Sequence, residues 1–181
     1  AMFGVSVSQI NLLLDTILAS FLVAGSVSWL YTAERLTELP LGLIGIAVAT
    51  VILPTLSTKH AEKSDAEFRG TIDWALKVIV MVGVPASLAM GILAEPLMAS
   101  LFHHGEFDSN DVVKSAMALQ ALSGGILAFM LIKVFAPAFY ARQDTRTPVR
   151  IGIIAMIANM VFNLMLVWHL EHVGLSLAST L

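Results

Sequence analysis

The sequence predicts an all-α, polytopic transmembrane helix bundle of about five full spans plus the start of a sixth. Three observations predict it. The 181 residues are 57% hydrophobic and only 13% charged, with a mean hydropathy of +0.86, whereas soluble domains carry about 25% charged residues. The runs from Leu39 to Thr58 and from Val78 to Ala94 hold no ionisable residue, and about 20 apolar residues cross a hydrocarbon core of roughly 30 Å. Such segments recur along the whole length, unlike a single secretory signal. Residues 1–181 therefore read as one membrane domain, with Ala1-Met2 a candidate cloning remnant.

Hydropathy and punctuation place the elements in order. Span one runs from about Phe3 to Ala24 and stops at Gly25-Ser26. Span two runs from about Val27 to Thr58 and contains Pro40, Gly42 and Pro54. An amphipathic connector, KHAEKSDAEFRG, is expected over Lys59 to Gly70. Span three covers about Thr71 to Ala94, interrupted by Pro85. Glu95-Pro96 opens the short segment LMASLF, which leads into the polar loop HHGEFDSND. Asp108 or Ser109 suits the N-cap of span four, which continues to about Ala141 through Gly124-Gly125 and Pro137. Span five runs from about Thr147 to Trp168. A sixth begins at Val173 and is too short to cross by Leu181, so the expectation is a fragment of something larger.

Orientation follows from Lys and Arg near the helix ends. Lys59, Lys63 and Arg69 follow span two, and Arg142, Arg146 and Arg150 follow span four. At the opposite side only Lys114 appears, among Glu95, Glu106, Asp108 and Asp111. The expectation is a cytoplasmic location for the basic side and for the N-terminus of this chain.

Several function classes fall away. Zero cysteines exclude disulfides, thiolate metal sites and cysteine nucleophiles. No basic patch supports nucleic-acid binding. His103-His104 lacks zinc-ligand spacing, and no HExxH, nucleophile elbow or P-loop occurs, so an enzyme is not expected.

Polar residues inside spans are costly and need a reason. Asp15 lies at the centre of span one, with Asn11 and Ser8 on the same face. Asn159 and Asn163 repeat that spacing in span five, and Ser176, Ser179 and Thr180 follow in the sixth. Hard oxygens of this kind suit a small cation such as Na⁺; hydrogen bonding between helices is the alternative. Arg35 stands between Glu34 and Glu38. Span two must start at the outer face, because only two residues separate it from span one. At 1.5 Å per residue Arg35 then lies about 12 Å below that face, where a cation requires a wet cavity or a counter-charge. Lys133, nine residues before Arg142, either snorkels to the interface or serves the same cavity.

Four segments together carry a resemblance: GVSVSQINLLLDTILASFL, GSVSWLYTAERLTELPLGLIGIAVATVILPTLS, LFHHGEFD and KVFAPAFYARQDTRTPV. They resemble the MurJ (MviN) lipid II flippase family of the multidrug/oligosaccharidyl-lipid/polysaccharide exporter superfamily, from Gly4 to about Ser179. The resemblance implies fourteen helices in two six-helix lobes plus two more, and makes this chain most of the second lobe, with the first lobe as its partner. It further implies a bacterial inner-membrane protein that moves lipid II by alternating access through a cationic cavity. Arg35 is similar to the cavity arginine of the family's eighth helix, and Glu38 and Lys133 to other charged substrate-side positions. Asp15, Asn159, Asn163 and Ser179, with the Leu175 carbonyl, match the family's sodium site. Asn163 stands where a sodium-binding member carries Asp, which removes a negative charge. Na⁺ is the one expected cofactor. The competing readings are a related exporter of drugs or other lipid-linked sugars, and a non-transporting membrane scaffold.

Overall fold

Gly25 takes a left-handed backbone (φ 103°) and lets the chain turn directly into a helix, with the ring of Trp29 where a β-carbon would sit. The structure, a computed structural model, describes residues 25–105 and 107–180, together with Leu13 and Ile17. Asp15 and the rest of span one lie outside the described residues.

Helix α1 (Ser26–Pro40) passes through a π-helical segment, Leu41–Ile46, into α2 (Ala47–Ala61). The widened turn has a cause. Pro40 offers no N–H and its ring crowds the carbonyl one turn back, so the backbone opens over LGLIGI instead of breaking. The whole rod, Ser26–Ala61, has 36 residues, slightly longer than the span expected over Val27 to Thr58.

The expected amphipathic connector is not a separate element. Lys59 to Ala61 finish α2, and Asp65 already begins α3 (Asp65–Ile92). Ala, Glu and Lys are good helix formers, so only the turn around Lys63, in the left-handed region at φ 54°, interrupts the helix. Helix α3 also runs unbroken through Pro85; helices in lipid tolerate proline where neighbours pack around the freed carbonyl. A short helix α4 (Ala94–Phe102) follows, then α5 (Ser109–Ser123) and α6 (Ile126–Ala141). Asp108 caps α5 in a reciprocal box: its Oδ1 accepts from the N–H groups of Asn110 and Asp111 at 2.8 and 2.9 Å, and Asp111 Oδ2 accepts from the Asp108 N–H. At Gly124-Gly125 the chain bends by 44°, so α5 and α6 form one broken span.

Helix α7 (Arg146–Thr180) is helical throughout but not straight. In a straight helix Asn159 and Ser179 would lie about 30 Å apart; their side chains are 3.5 Å apart. A β-carbon on Gly174 would lie 2.6 Å from the Leu166 carbonyl oxygen. The chain therefore doubles back between residues 166 and 172, giving span five and the returning start of the sixth. Ser26–Ala61, Asp65–Ile92 and Arg146–Leu166 are each long and apolar enough to cross a membrane. With the bent α5–α6 pair they are spans two to five of the sequence, and the fold is an all-α, multi-pass membrane bundle.

Two apolar cores hold it. Leu30, Ala33 and Leu36 of α1 pack with Met98 of α4, Leu119 and Leu122 of α5, and Leu175. Ile52 and Leu56 of α2 pack with Phe68 and Ile79 of α3 and Met130 and Val134 of α6. The boundary falls at the two breaks. Trp29 Nε1 donates to Asp111 Oδ1 at 2.7 Å, which sets the starts of α1 and α5 side by side. Both helices then run 15 residues to their break, about 22 Å along the axis. The π segment and the Gly124-Gly125 bend thus lie at similar depth.

At the basic end, the Asp144 carboxylate accepts from the N–H groups of Arg146 and Thr147 at 3.1 and 3.0 Å and from the Thr147 hydroxyl at 2.6 Å, capping α7. The Thr147 hydroxyl, then its N–H, hold this carboxyl below the ordinary aspartate value. A depressed folded-state value means the cap stabilises fully above the unfolded aspartate pKa, about 3.9, and the gain is lost as pH falls through the lower folded value. Asp144→Ala is therefore expected to lower the melting temperature at pH 7. The gap to wild type should shrink progressively below pH 4, in thermal melts of detergent-solubilised protein.

Candidate functional site

Two separate polar groups emerge from the expected residues. The first centres on Arg35. Helix α1 presents one face to α5, burying Trp29, Leu30, Ala33, Leu36 and Thr37. Arg35 points off that face, its side chain 61% exposed, so nothing else described in this chain covers it. Tyr31, one turn earlier, holds it. The phenol oxygen accepts from Arg35 Nε at 3.0 Å and from Nη2 at 2.5 Å, and the guanidinium carbon lies 5.0 Å from the ring centre. Glu38 is the i,i+3 counter-charge, but its Oε2 stands 4.0 Å from Arg35 Nη1 and is itself exposed. A counter-charge thus stands nearby, and the guanidinium points away from the other described residues. Tyr31 was not singled out from the sequence, although its position four residues before Arg35 was the available signal.

Lys133 does not join this group. Its side-chain stem packs where a β-carbon on Gly45 would sit, 3.3 Å from Lys133 Cγ. Gly45 is ten residues beyond Arg35, about 15 Å along the helix. The lysine is exposed, and it sits against the π-helical segment.

The second group lies inside the α7 hairpin. Asn159 and Asn163 are buried, at 8% and 1% exposure, as are Leu175 and Ser176 at 2% each. Asn163 Nδ2 donates to Asn159 Oδ1 at 3.0 Å, Asn159 Nδ2 donates to Ser179 Oγ at 3.5 Å, and Ser179 Oγ donates to the Leu175 carbonyl at 3.1 Å. The reversal thus gathers Asn159, Asn163, Leu175 and Ser179, four of the five expected cation-site residues; Asp15 lies outside the described residues. The donor set is two amide oxygens, one carbonyl and one hydroxyl. Its chemistry fits a small hard cation, and hydrogen bonds tie its members to one another.

A third polar tie was not anticipated. Beyond its bond to Asp111, the Trp29 ring meets the buried His172 edge-on at 5.0 Å, and His172 Nε2 lies 3.2 Å from the Lys114 carbonyl oxygen. This joins α1, α5 and the returning arm of α7 at the end where α1 and α5 begin. The residues are up to 143 apart in sequence, so local spacing carries no trace of the tie.

Comparison with known proteins gives the family. The sequence profile of "Lipid II flippase MurJ" matches residues 1–181. Probable lipid II flippase MurJ of Haemophilus influenzae is 54% identical over 187 residues, covering all of this chain and 36% of the relative. The Vibrio cholerae relative of the same description is 53% identical and is covered over 34% of its length. Among solved structures, a lipid II flippase MurJ in an inward closed conformation superposes with a TM-score of 0.89 at 26% identity, over 98% of this chain and 37% of that one. A MOP superfamily transporter of Pyrococcus furiosus shares the fold alone, with a TM-score of 0.75 at 18% identity over 99% of this chain and 39% of its own. The chain spans about a third of the length of these proteins. Profile, identity and superposition agree: this chain belongs to the lipid II flippase MurJ family.

Proposed function

We propose that this chain is part of the second lobe of a flippase that carries lipid II, the lipid-linked peptidoglycan precursor, across the bacterial inner membrane. The observation that carries the reading is Arg35, a guanidinium kept exposed on a helix of an apolar span. A diphosphate needs a cation of this kind, because the planar fork stays charged and bonds phosphate oxygens in pairs. In the proposal the first lobe closes the cavity opposite Arg35. Glu38 limits the charge there, and Lys133 adds a second cation deeper along the rod. The whole protein transports and catalyses no bond change. Its basic end faces the cytoplasm by the positive-inside rule, which also places the N-terminus of this chain in the cytoplasm.

Alternating access is the proposed mode. The π segment and the Gly124-Gly125 bend supply two compliant points at similar depth, so one core can tilt against the other while each stays packed. Na⁺ coupling is a further part of the proposal: Asn159, Asn163, Ser179 and the Leu175 carbonyl would hold the ion, with Asp15 from span one. A bound ion would supply positive charge where the hairpin arms meet, favouring the access state in which those arms are closed.

The full-length protein should restore growth to cells depleted of their own lipid II flippase, and should move labelled lipid II across liposome membranes. Binding without movement would favour the scaffold reading, and movement of cationic drugs instead would favour the exporter reading. For the ion, Ser179→Ala together with Asn159→Ala should reduce a Na⁺-dependent transport rate several-fold in liposomes. A Na⁺ response unchanged by the double substitution would discard the coupling.

A further inference from the structure

A groove of about 430 Å³ lies between α2 and the beginning of α3, away from both polar groups. Val51, Ile52, Thr55 and Lys59 recur at helical spacing along α2, and Glu67, Gly70, Thr71 and Trp74 recur likewise along α3. One matched face of each helix therefore forms a wall.

The walls show carbon. Thr55 and Thr71 spend their hydroxyls on their own helices, donating to the Val51 and Glu67 carbonyls at 2.8 and 2.9 Å. Only methyl groups, aliphatic chains and the Trp74 ring remain to face a ligand. The mouth is ionic. Lys59 pairs with Glu62 at 3.3 Å and with Glu67. An ammonium has three N–H donors, so one is left for a further acceptor. Both carboxylates stay more than half exposed, at 54% and 59%, and keep unused lone pairs. From Lys59 down to Val51 the groove runs about 12 Å, against roughly 15 Å for half the hydrocarbon core.

A ligand that fits must therefore carry a donor-bearing cation, one phosphate and an alkyl chain. We propose that the groove binds a phosphatidylethanolamine of the adjoining leaflet. Its ammonium lies on Glu67 and Glu62, its phosphate on the remaining Lys59 donor, and one acyl chain between the exposed Val51 and Trp74. Within the ion-paired cluster at the mouth two carboxylates face one lysine, which disfavours an anionic glycerol headgroup there and a diphosphate further; Lys63 and Arg69, near in sequence, lie outside that cluster. A choline headgroup has no N–H to give the carboxylates. This inference is independent of the flippase reading, since it uses none of the residues assigned to it.

Gly70 provides a clean test. A β-carbon there meets nothing within 4 Å, so Gly70→Phe should fill the groove without displacing a neighbour. The measurement is native mass spectrometry of delipidated full-length protein titrated with phosphatidylethanolamine or phosphatidylglycerol, with melting temperatures recorded alongside. Wild type should bind the ethanolamine lipid about tenfold more tightly than the glycerol lipid, a gap of about 1.4 kcal/mol. Gly70→Phe should lose about tenfold in ethanolamine-lipid affinity at an unchanged lipid-free melting temperature. Thr55→Trp, which fills the opposite wall, should do the same if the first variant folds poorly. Glu67→Gln should erase the headgroup preference. Undiminished binding by a folded filled-groove variant overturns the proposal, and so does equal binding of the two lipids by wild type. A disulfide between Gly70→Cys and a cysteine introduced into another segment of the full-length protein would also overturn it, by showing that protein fills the groove.

Discussion

Full-length protein carrying Arg35→Ala is expected to flip lipid II roughly 10–100-fold more slowly and to support growth poorly in flippase-depleted cells, while melting close to wild type. Both halves follow from the geometry. Arginine has five N–H donors; Tyr31 takes one from Nε and one from Nη2. Glu38, at 4.0 Å, lies beyond hydrogen-bond reach. Three donors in one plane therefore face the open side. A hydrogen bond to a charged group contributes about 1.5–3 kcal/mol, so losing this contact should reduce the flipping rate roughly 10–100-fold. Stability should barely change, because an exposed side chain leaves no cavity when removed. Arg35→Lys keeps the charge but not the fork, and should recover only part of the rate. Tyr31→Phe keeps the fork but frees it to rotate, and should fall between Arg35→Lys and wild type. The measurement is initial flipping rate in liposomes, paired with a thermal melt. Normal growth and flipping by Arg35→Ala would remove the arginine from the transport path.

What could be read from the residues alone divides along a physical line. Features set by one helix were legible. The turn at Gly25-Ser26, the length of the second rod and the Asp108 cap follow from local propensity and from the length needed to cross a bilayer. The break at Gly124-Gly125 was not among them: span four was expected to continue through it, and the chain bends there by 44°. The Asn159–Asn163 stripe was legible for a related reason: buried amides in an apolar span are too costly to be incidental. Features set by contact between distant segments were not. The Trp29–Asp111–His172 tie depends on three helix ends meeting. The π segment depends on how the rod resolves the Pro40 conflict, by widening over Leu41–Ile46. The connector over Lys59 to Gly70 was misjudged because its amphipathic charges suggested a surface segment. Its helix formers simply extend the flanking helices, and the charges became the rim of the groove between α2 and α3.

Gly174→Ala is the second prediction with a large expected effect, and it acts on the fold. Among the described glycines, Gly42, Gly70, Gly124 and Gly152 could carry a methyl group without a close contact. At Gly152, on the same helix, an added β-carbon meets nothing within 4 Å, and alanine there should stabilise the helix by up to about 1 kcal/mol. At Gly174 the added atom would fall 2.6 Å from the Leu166 carbonyl oxygen and 2.8 Å from its carbon. Those are backbone atoms, which cannot rotate aside as a side-chain tip would. Relief requires the two arms of α7 to part. Parting them draws Leu175 out of the core it shares with α1 and α5 and separates Ser179 from Asn159. Overpacking ordinarily costs about 1–3 kcal/mol, and a clash against fixed backbone belongs at the upper end. Melting curves of full-length protein should therefore move in opposite directions for the two substitutions, Gly152→Ala upward and Gly174→Ala downward by several degrees. Because the same movement takes apart the Asn159–Ser179 contact, Gly174→Ala should also lose any Na⁺-dependent gain in melting temperature that the wild type shows. A Gly174→Ala protein that melts like wild type would mean that the arms do not approach this closely, and the oxygen cluster between them would lose its basis.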